Sequence, residues 1–281
     1  MKKGLLTKII SNQYTIFLDG KYYVASPRGK MRLKEKPCVG DIVVFEEFDD
    51  SYRIHSVCER KNKLLRPAIS NVDQALIVTS CKDPDFSVHL LNRLIILVSL
   101  AHVEPVICIT KSDIAPNMDE IEKILDWYRK AGYKVVYTDP NRDTKELEDV
   151  LRDKISVLCG QSGAGKSSLL NRIEPSFTLQ IQEISKALGR GKHTTRHCEL
   201  HDICDGWVAD TPGFSSLDFT RLDTSHLDEV IKDFQPYLNQ CKFNDCVHIH
   251  EPMCSIKAAL ENGMINPYMY EDYKAIKEGL V

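Results

Sequence analysis

A glycine-rich segment near the middle of the chain carries a lysine and serines at a fixed spacing. It fits the pattern G-x-x-x-x-G-K-[ST] at every fixed position, with the apolar run Ile155–Cys159 before it and a helical stretch, Ser168–Arg172, after it. Glycines let the backbone wrap closely around phosphates, and the helix start adds a positive end. Lys166 would contact the β- and γ-phosphates, and the Ser167 hydroxyl would bind Mg²⁺. We therefore expect nine consecutive residues to bind a nucleotide: Gly160, Gln161, Ser162, Gly163, Ala164, Gly165, Lys166, Ser167 and Ser168.

A second motif, Asp-Thr-Pro-Gly, follows the apolar run Gly206–Ala209. Asp210 at that position can hold the shell of a magnesium ion, and the Gly213 backbone N–H can meet a γ-phosphate. Alone, these four residues are only a turn. Beside a phosphate loop they predict a switch that responds to the γ-phosphate.

A third motif selects the base. Thr110, Lys111, Ser112 and Asp113 close the apolar run Pro105–Ile109 and resemble the N-K-x-D signature of GTPases. Asp113 would pair with the guanine N1 and N2 donors, which adenine lacks, and Lys111 would lie along the base. Thr110 stands where that signature has asparagine, so the tether that the asparagine provides is weakened or replaced.

The order of these motifs along the chain is unusual. The guanine motif precedes the phosphate loop by about fifty positions, whereas in ordinary small GTPases it follows the loop. Both motifs still follow strands, so both can lie at one edge of a sheet, where open α/β sheets bind ligands. We interpret the order as a circular permutation, which folds tolerate when their termini are close.

A compact cysteine cluster lies in the last sixty residues. Cys241, Cys246 and Cys254 place three thiolates within fourteen residues, and His248 and His250 both lie between the last two. One imidazole with three thiolates makes a closed set suited to structural zinc. The other cysteines are scattered and read as small buried hydrophobic residues: Cys38, Cys58, Cys81, Cys108, Cys159, Cys198 and Cys204.

The elements before the motifs read as β-structure. Residues 1–66 contain short apolar runs separated by turn signals, typical of a small barrel or sandwich. The four predicted strands are Tyr14–Leu18, Lys21–Ala25, Ile42–Phe45 and Tyr52–Val57. This region has 14 Lys and Arg against 8 Asp and Glu, and from Arg28 to Lys36 a basic residue occupies every even position. An extended segment would place this row on one face to neutralise RNA phosphates, and a solvated charged loop is the alternative.

The motifs themselves require an alternating α/β region. From Gln74 onwards, apolar runs alternate with helical stretches through Val88–His102, Met118–Ala131 and Thr144–Leu151. Such alternation predicts a mainly parallel sheet covered by helices. The last segment, roughly 223–281, reads as helical and polar.

Taken together and in this order, the motifs resemble the circularly permuted small-ribosomal-subunit biogenesis GTPases, over essentially the whole chain. The resemblance implies a multi-domain α/β fold: an RNA-binding OB-fold barrel (1–66), a circularly permuted P-loop GTPase domain (67–222) and a helical zinc-binding domain (223–281). It also implies a GTPase that acts late in maturation of the small (30S) subunit. Such a protein binds the subunit and its rRNA in the GTP state and hydrolyses GTP to GDP and phosphate faster when bound.

The resemblance also assigns roles to particular residues. It makes Gly189–Arg196 the first switch, with Thr195 favoured over Thr194 as a magnesium ligand, and it selects His248 over His250 for zinc. Phe214 follows Asp-Thr-Pro-Gly where many GTPases have a water-orienting glutamine, so we expect slow hydrolysis by the isolated protein. The expected catalytic set is Lys166, Thr195, Asp210 and the candidate His193. The expected cofactors are one structural Zn²⁺ and Mg²⁺ with GTP.

Several features bear on location and on rival functions. The first residues do not read as a signal peptide, the apolar run Leu90–Ala101 is too short to span a membrane, and clustered cysteines suit a reducing compartment. We therefore expect a cytoplasmic protein with no membrane partner and take a monomer as the default. Two alternatives are a nucleic-acid-binding adaptor that nucleotide merely stabilises, and a GTPase that serves a membrane or transport machine.

Overall fold

The computed structural model describes residues 1–27, 36–49, 51–65, 68–175, 198–209 and 224–280. They belong to two compact units. The first comprises residues 1–74, 144–158 and 167–214, and the second comprises 75–143, 159–166 and 215–281. Several predictions fall outside the described residues: the basic row except Lys36, the first switch with His193, Thr194 and Thr195, and the second switch with Asp210, Gly213 and Phe214.

A closed five-stranded barrel begins the first unit, with strand order β1-β2-β3-β5-β4 and β4 paired back to β1. Its inner face packs Leu6, Ile16, Val43, Phe45 and Ile54, all fully buried. The four predicted strands are present, but β1 was missed because lysines and a glycine interrupt its apolar residues. The strands are β1 (Lys2–Ile10), β2 (Gln13–Leu18), β3 (Lys21–Pro27), β4 (Ile42–Phe48) and β5 (Ser51–Val57).

A small two-stranded sheet, β6 (Lys63–Leu65) with β7 (Ala68–Ser70), follows the barrel. A larger sheet has six strands in the order β10-β9-β8-β11-β13-β12. Pairs β10–β9 and β11–β13 are parallel, as expected, whereas β12 runs antiparallel to β13 and was not predicted. The strands are β8 (Gln74–Ser80), β9 (Glu104–Thr110), β10 (Lys134–Thr138), β11 (Ile155–Cys159), β12 (Leu200–Ile203) and β13 (Gly206–Ala209).

Six α-helices are described: α1 (Val88–Leu100), α2 (Met118–Lys130), α3 (Lys145–Leu151), α4 (Lys166–Ile173), α5 (Ser255–Glu261) and α6 (Pro267–Lys277). Within the described residues, no helix combines the length and apolarity needed to cross a membrane. The C-terminal segment is less helical than expected, since residues 224–253 form turns around the cysteines and one short 3₁₀ helix, Gln235–Tyr237.

Helices α1 and α6 of the second unit are joined by one buried carboxylate. Asp272 is 2% exposed and accepts hydrogen bonds from Asn92 Nδ2 at 2.8 Å and Arg93 Nε at 3.2 Å. His89 Nδ1 lies 2.9 Å from the same carboxylate. A buried charge is stable only when it is paired, so Asp272 on α6 depends on these contacts with α1. The contacts therefore hold α6 beside α1.

Candidate functional site

The phosphate loop has the strand-loop-helix context that its sequence predicts. β11 leads into it, and α4 begins at Lys166. Gly160 has φ +128°, and a Cβ there would lie 2.1 Å from the Val78 carbonyl oxygen, so only glycine fits. Ala164 is buried, whereas Gln161, Ser162, Gly163, Ser167 and Ser168 are exposed.

Lys166 is folded over the loop. Its ammonium donates to the carbonyl oxygens of Gly160 and Gln161, both at 2.7 Å. Burial lowers the pKa of Lys166 below its ordinary value, while the neighbouring Cys159 acts in the opposite direction. The ammonium is thus held beside the backbone that would enclose phosphates.

Thr110 connects the guanine motif directly to the phosphate loop. Its buried hydroxyl donates to the Ala164 carbonyl oxygen at 2.6 Å, across 54 positions of sequence. Thr110 thus links the two motifs from the position that asparagine occupies in the N-K-x-D signature. This hydrogen bond lies within the second unit and brings together two motifs that the chain carries in reversed order.

Lys111 adds a second connection. It adopts a left-handed conformation (φ 56°), and its ammonium donates to the Gly163 carbonyl oxygen at 3.0 Å and also to the Asp83 carbonyl oxygen. The contact with Asp83, in the turn after β8, was not predicted. A backbone carbonyl occurs at every residue, so no sequence signal could have indicated it.

The end of the guanine motif forms one turn of 3₁₀ helix, Ser112–Ile114, with Asp113 exposed. Ser112 Oγ donates to Asp139 Oδ2 at 2.7 Å. Burial acts to raise the pKa of Asp139, but hydrogen bonds from Ser112 and the Asn141 backbone, with the charge of Arg142, lower it overall. Asp139 was also missed, although its place directly after a strand was a usable signal.

The described part of this site therefore combines a backbone cradle suited to phosphates with a carboxylate, Asp113, suited to the guanine donors. Ser167, at the start of α4, is exposed, and its hydroxyl oxygen is the type of ligand atom that coordinates Mg²⁺.

The cysteine cluster is a second candidate site. One ligand atom from each of Cys241, Cys246, His248 and Cys254 lies within 4.8 Å of the others. His248 Nδ1 is 3.5 Å from the Cys241 sulfur and 3.4 Å from the Cys254 sulfur. His250 is outside this group, with its side chain 82% exposed and Nε2 3.8 Å from Glu278. The geometry brings His248, not His250, to the three thiols.

The surroundings of the cluster favour a cation. His248 Nε2 faces Asp228 Oδ2 at 3.4 Å, an arrangement that orients the imidazole for a metal on Nδ1. Burial acts to lower the pKa of His248, but Asp228 and the thiols of Cys254 and Cys241 raise it to about 9. Three sulfurs with one nitrogen fit tetrahedral zinc. Asp228 was not predicted as a part of it.

These features define a P-loop GTPase in which the guanine motif precedes the phosphate loop. Comparison with known families agrees: the RsgA GTPase model matches residues 57–220, and the RsgA N-terminal domain model matches residues 3–52. The chain belongs to the RsgA GTPase family, and it is a GTP hydrolase.

Similar proteins cover nearly the whole chain. It is 43% identical over 278 residues to the small ribosomal subunit biogenesis GTPase RsgA of Staphylococcus saprophyticus, covering 97% of this chain and 95% of that protein. It is 45% identical over 280 residues to RsgA 2 of Oceanobacillus iheyensis, with the same coverages.

Solved structures agree on the architecture. YloQ, a circularly permuted GTPase, matches with a TM-score of 0.84 and 37% identity over 99% of this chain and 94% of that one. YjeQ from Thermotoga maritima matches with a TM-score of 0.84 and 34% identity, over 99% and 98%. The expected family, the permuted GTPase fold with its OB-like barrel, and the enzyme class are confirmed.

Proposed function

We propose that this protein acts in late maturation of the small (30S) ribosomal subunit. It binds the subunit and its rRNA when loaded with GTP, and it hydrolyses GTP to GDP and phosphate faster when bound. The observation that carries this proposal is the near full-length identity to proteins named small ribosomal subunit biogenesis GTPases.

Nucleotide binding is assigned to two described segments. Residues Gly160–Ser168 bind the phosphates, with Lys166 on the β- and γ-phosphates. Thr110–Asp113 bind guanine, with Asp113 on the N1 and N2 donors. The hydrogen bond from Thr110 to Ala164 supports this assignment, because it places the base-binding segment directly beside the phosphate-binding segment, so that one nucleotide can contact both.

Magnesium binding and catalysis involve Ser167 and several residues that lie outside the described part of the chain. Ser167 and Thr195, rather than Thr194, bind Mg²⁺, and Asp210 holds the ion's water shell while the Gly213 N–H meets the γ-phosphate. When bound there, Mg²⁺ would supply positive charge against the phosphates. Phe214 cannot orient water, so the isolated protein is slow. The missing catalytic group comes from loop ordering or from the ribosome, and His193 is the candidate within this chain.

We assign the C-terminal cluster one structural Zn²⁺, bound by Cys241, Cys246, His248 and Cys254. Thiolate and imidazole ligands with Asp228 behind the imidazole support this assignment. A short polar segment buries too little surface to fold without help, so the ion stabilises the turns of residues 224–253.

We propose domain boundaries of 1–66 for a barrel that contacts RNA, 67–222 for the GTPase domain and 223–281 for the zinc-binding domain. The basic composition of the first region supports contact with a polyanion. We place the protein in the cytoplasm, as a monomer without a membrane partner, since ribosomal subunits and guanine nucleotides are both found there.

Turnover with and without small subunits tests the proposal. We expect purified subunits to raise the rate of GTP hydrolysis by the wild-type protein. Lys166→Ala should abolish this hydrolysis. Lys123→Ala, which changes an exposed lysine on α2, should hydrolyse GTP as the wild type does. Co-sedimentation should show tighter subunit binding with a non-hydrolysable GTP analogue than with GDP. An adaptor that nucleotide merely stabilises would bind subunits equally in both states, with turnover that subunits do not change.

A further inference from the structure

Asp139 is a buried acidic residue beside the guanine motif, and none of the sequence motifs includes it. It follows β10 directly and is only 5% exposed. Its carboxylate accepts hydrogen bonds from Ser112 Oγ at 2.7 Å, the Asn141 backbone N–H at 3.0 Å and Arg142 Nε at 3.0 Å. A buried charge with three donors is held firmly in place.

The turn that carries Asp113 is weakly held by its own backbone. Lys111 is left-handed, a backbone conformation that is sterically disfavoured for a non-glycine residue. The backbone hydrogen bonds of the turn, Ile114 N–H to the Lys111 carbonyl and Ala115 N–H to the Ser112 carbonyl, are both long at 3.4 Å. A strained turn of this kind persists only when side-chain contacts fix it.

Strand register brings Asp139 to that turn. Thr138 and Thr110 are paired at the ends of the parallel strands β10 and β9. The residues that follow them, Asp139 and Lys111, therefore leave the sheet side by side, and the carboxylate reaches Ser112. Arg142, whose guanidinium lies 4.3 Å from the centre of the Tyr137 ring, fixes the other side of the carboxylate.

We propose that Asp139 is a positioning residue for guanine recognition. It holds Ser112 Oγ, fixes the one-turn helix and so sets the direction in which Asp113 presents its carboxylate to the base. This inference rests on the guanine-binding role proposed for Asp113 and assigns to Asp139 the selectivity of that same site.

Affinities for GDP and ADP in single and double variants test the inference. We expect Asp139→Ala and Ser112→Ala each to weaken GDP binding about tenfold, the equivalent of one charge-assisted hydrogen bond, with ADP binding unchanged. Asp139→Asn keeps an acceptor for Ser112 and should recover most of the affinity. In an Asp113→Ala background, Asp139→Ala should have no further effect, because it acts through Asp113.

Asp126→Ala, at an exposed aspartate on α2 that pairs with Arg129, is the matched control and should bind GDP as wild type. Ser112→Ala removes only a hydroxyl, so it keeps the test valid if Asp139→Ala fails to fold. Additive effects of Asp139→Ala and Asp113→Ala, or wild-type GDP affinity in Ser112→Ala, would overturn the inference alone. Unchanged GDP affinity in Asp113→Ala would overturn the proposed guanine site and this inference with it.

Discussion

At the end of β9, the hydroxyl of Thr110, which stands where the N-K-x-D signature has asparagine, connects the guanine motif to the phosphate loop. The side chain is buried, and its 2.6 Å hydrogen bond to the Ala164 carbonyl directly joins the two halves of the candidate nucleotide site. The end of the strand places Thr110 directly against the loop. The substitution in the motif is therefore compatible with a formed site.

Replacing Thr110 by valine keeps the shape of the side chain and removes its donor. We expect Thr110→Val to weaken GDP binding about tenfold, because a buried carbonyl that loses its donor costs about 1–3 kcal/mol. Thr110→Ser retains the hydroxyl and should stay close to wild type. Calorimetric titration with GDP measures both, and a wild-type affinity for the valine variant would show that the tether does not support the site.

At the scale of elements, the cysteine cluster explains why the C-terminal segment is less helical than its composition suggests. Residues 224–253 must turn repeatedly to bring Cys241, Cys246, His248 and Cys254 within 4.8 Å of one another. α5 begins directly after Cys254, so the last ligand and the first helical turn are adjacent. The turns that shape this segment are therefore the same turns that bring the four candidate ligands together.

The two histidines of this segment give a direct prediction for the metal. We expect the purified protein to contain one zinc per chain, His248→Ala to lose most of it, and His250→Ala to retain it, because only His248 faces the thiols. Elemental analysis checks the content. Chelation should lower the melting temperature of the wild type and the His250 variant alike. Zinc retained by His248→Ala and lost by His250→Ala would reverse the ligand assignment.

At the scale of the whole molecule, the chain brings distant segments together within each compact unit. In the first unit the barrel lies on the hairpin of β12 and β13. Lys8 pairs with Glu199 at 2.8 Å, and the Phe17 and Trp207 rings meet edge to face at 4.9 Å. In sequence, this hairpin lies between the two proposed switch segments. The barrel therefore contacts the part of the chain that connects the two segments whose conformation would change with the bound nucleotide.

The contact between Phe17 and Trp207 is open to spectroscopy. In a Trp127→Phe background, Trp207 is the remaining tryptophan, and Phe17→Ala should shift its emission to longer wavelength by exposing it to water. We expect a loss of about 2 kcal/mol in unfolding free energy, less than for a fully buried phenylalanine. Phe48→Ala, at an exposed position of the barrel, is the control and should leave Trp207 emission unchanged. Identical spectra for both variants would contradict the packing.

The sequence by itself determined the parts of this protein that consecutive residues encode. The phosphate loop, with its glycines and Lys166, and the spacing of the cluster cysteines are local patterns, so their chemistry can be read without a fold. Alternating apolar runs likewise predicted the strands that carry the motifs. The permuted order of the motifs was visible for the same reason, and the barrel's first strand was missed because lysines mask its apolar residues.

Only the tertiary structure decided how these pieces meet. The hydrogen bond from Thr110 to Ala164, the contact of Lys111 with a backbone carbonyl, and the support of Ser112 by Asp139 all join residues far apart in sequence. For the zinc ligand, the spacing of the cluster alone left His248 and His250 open, and the direction of each ring agrees with the His248 that the family resemblance selects. Such contacts depend on strand register and on the path of the backbone, which many distant residues fix together and no single stretch of sequence contains.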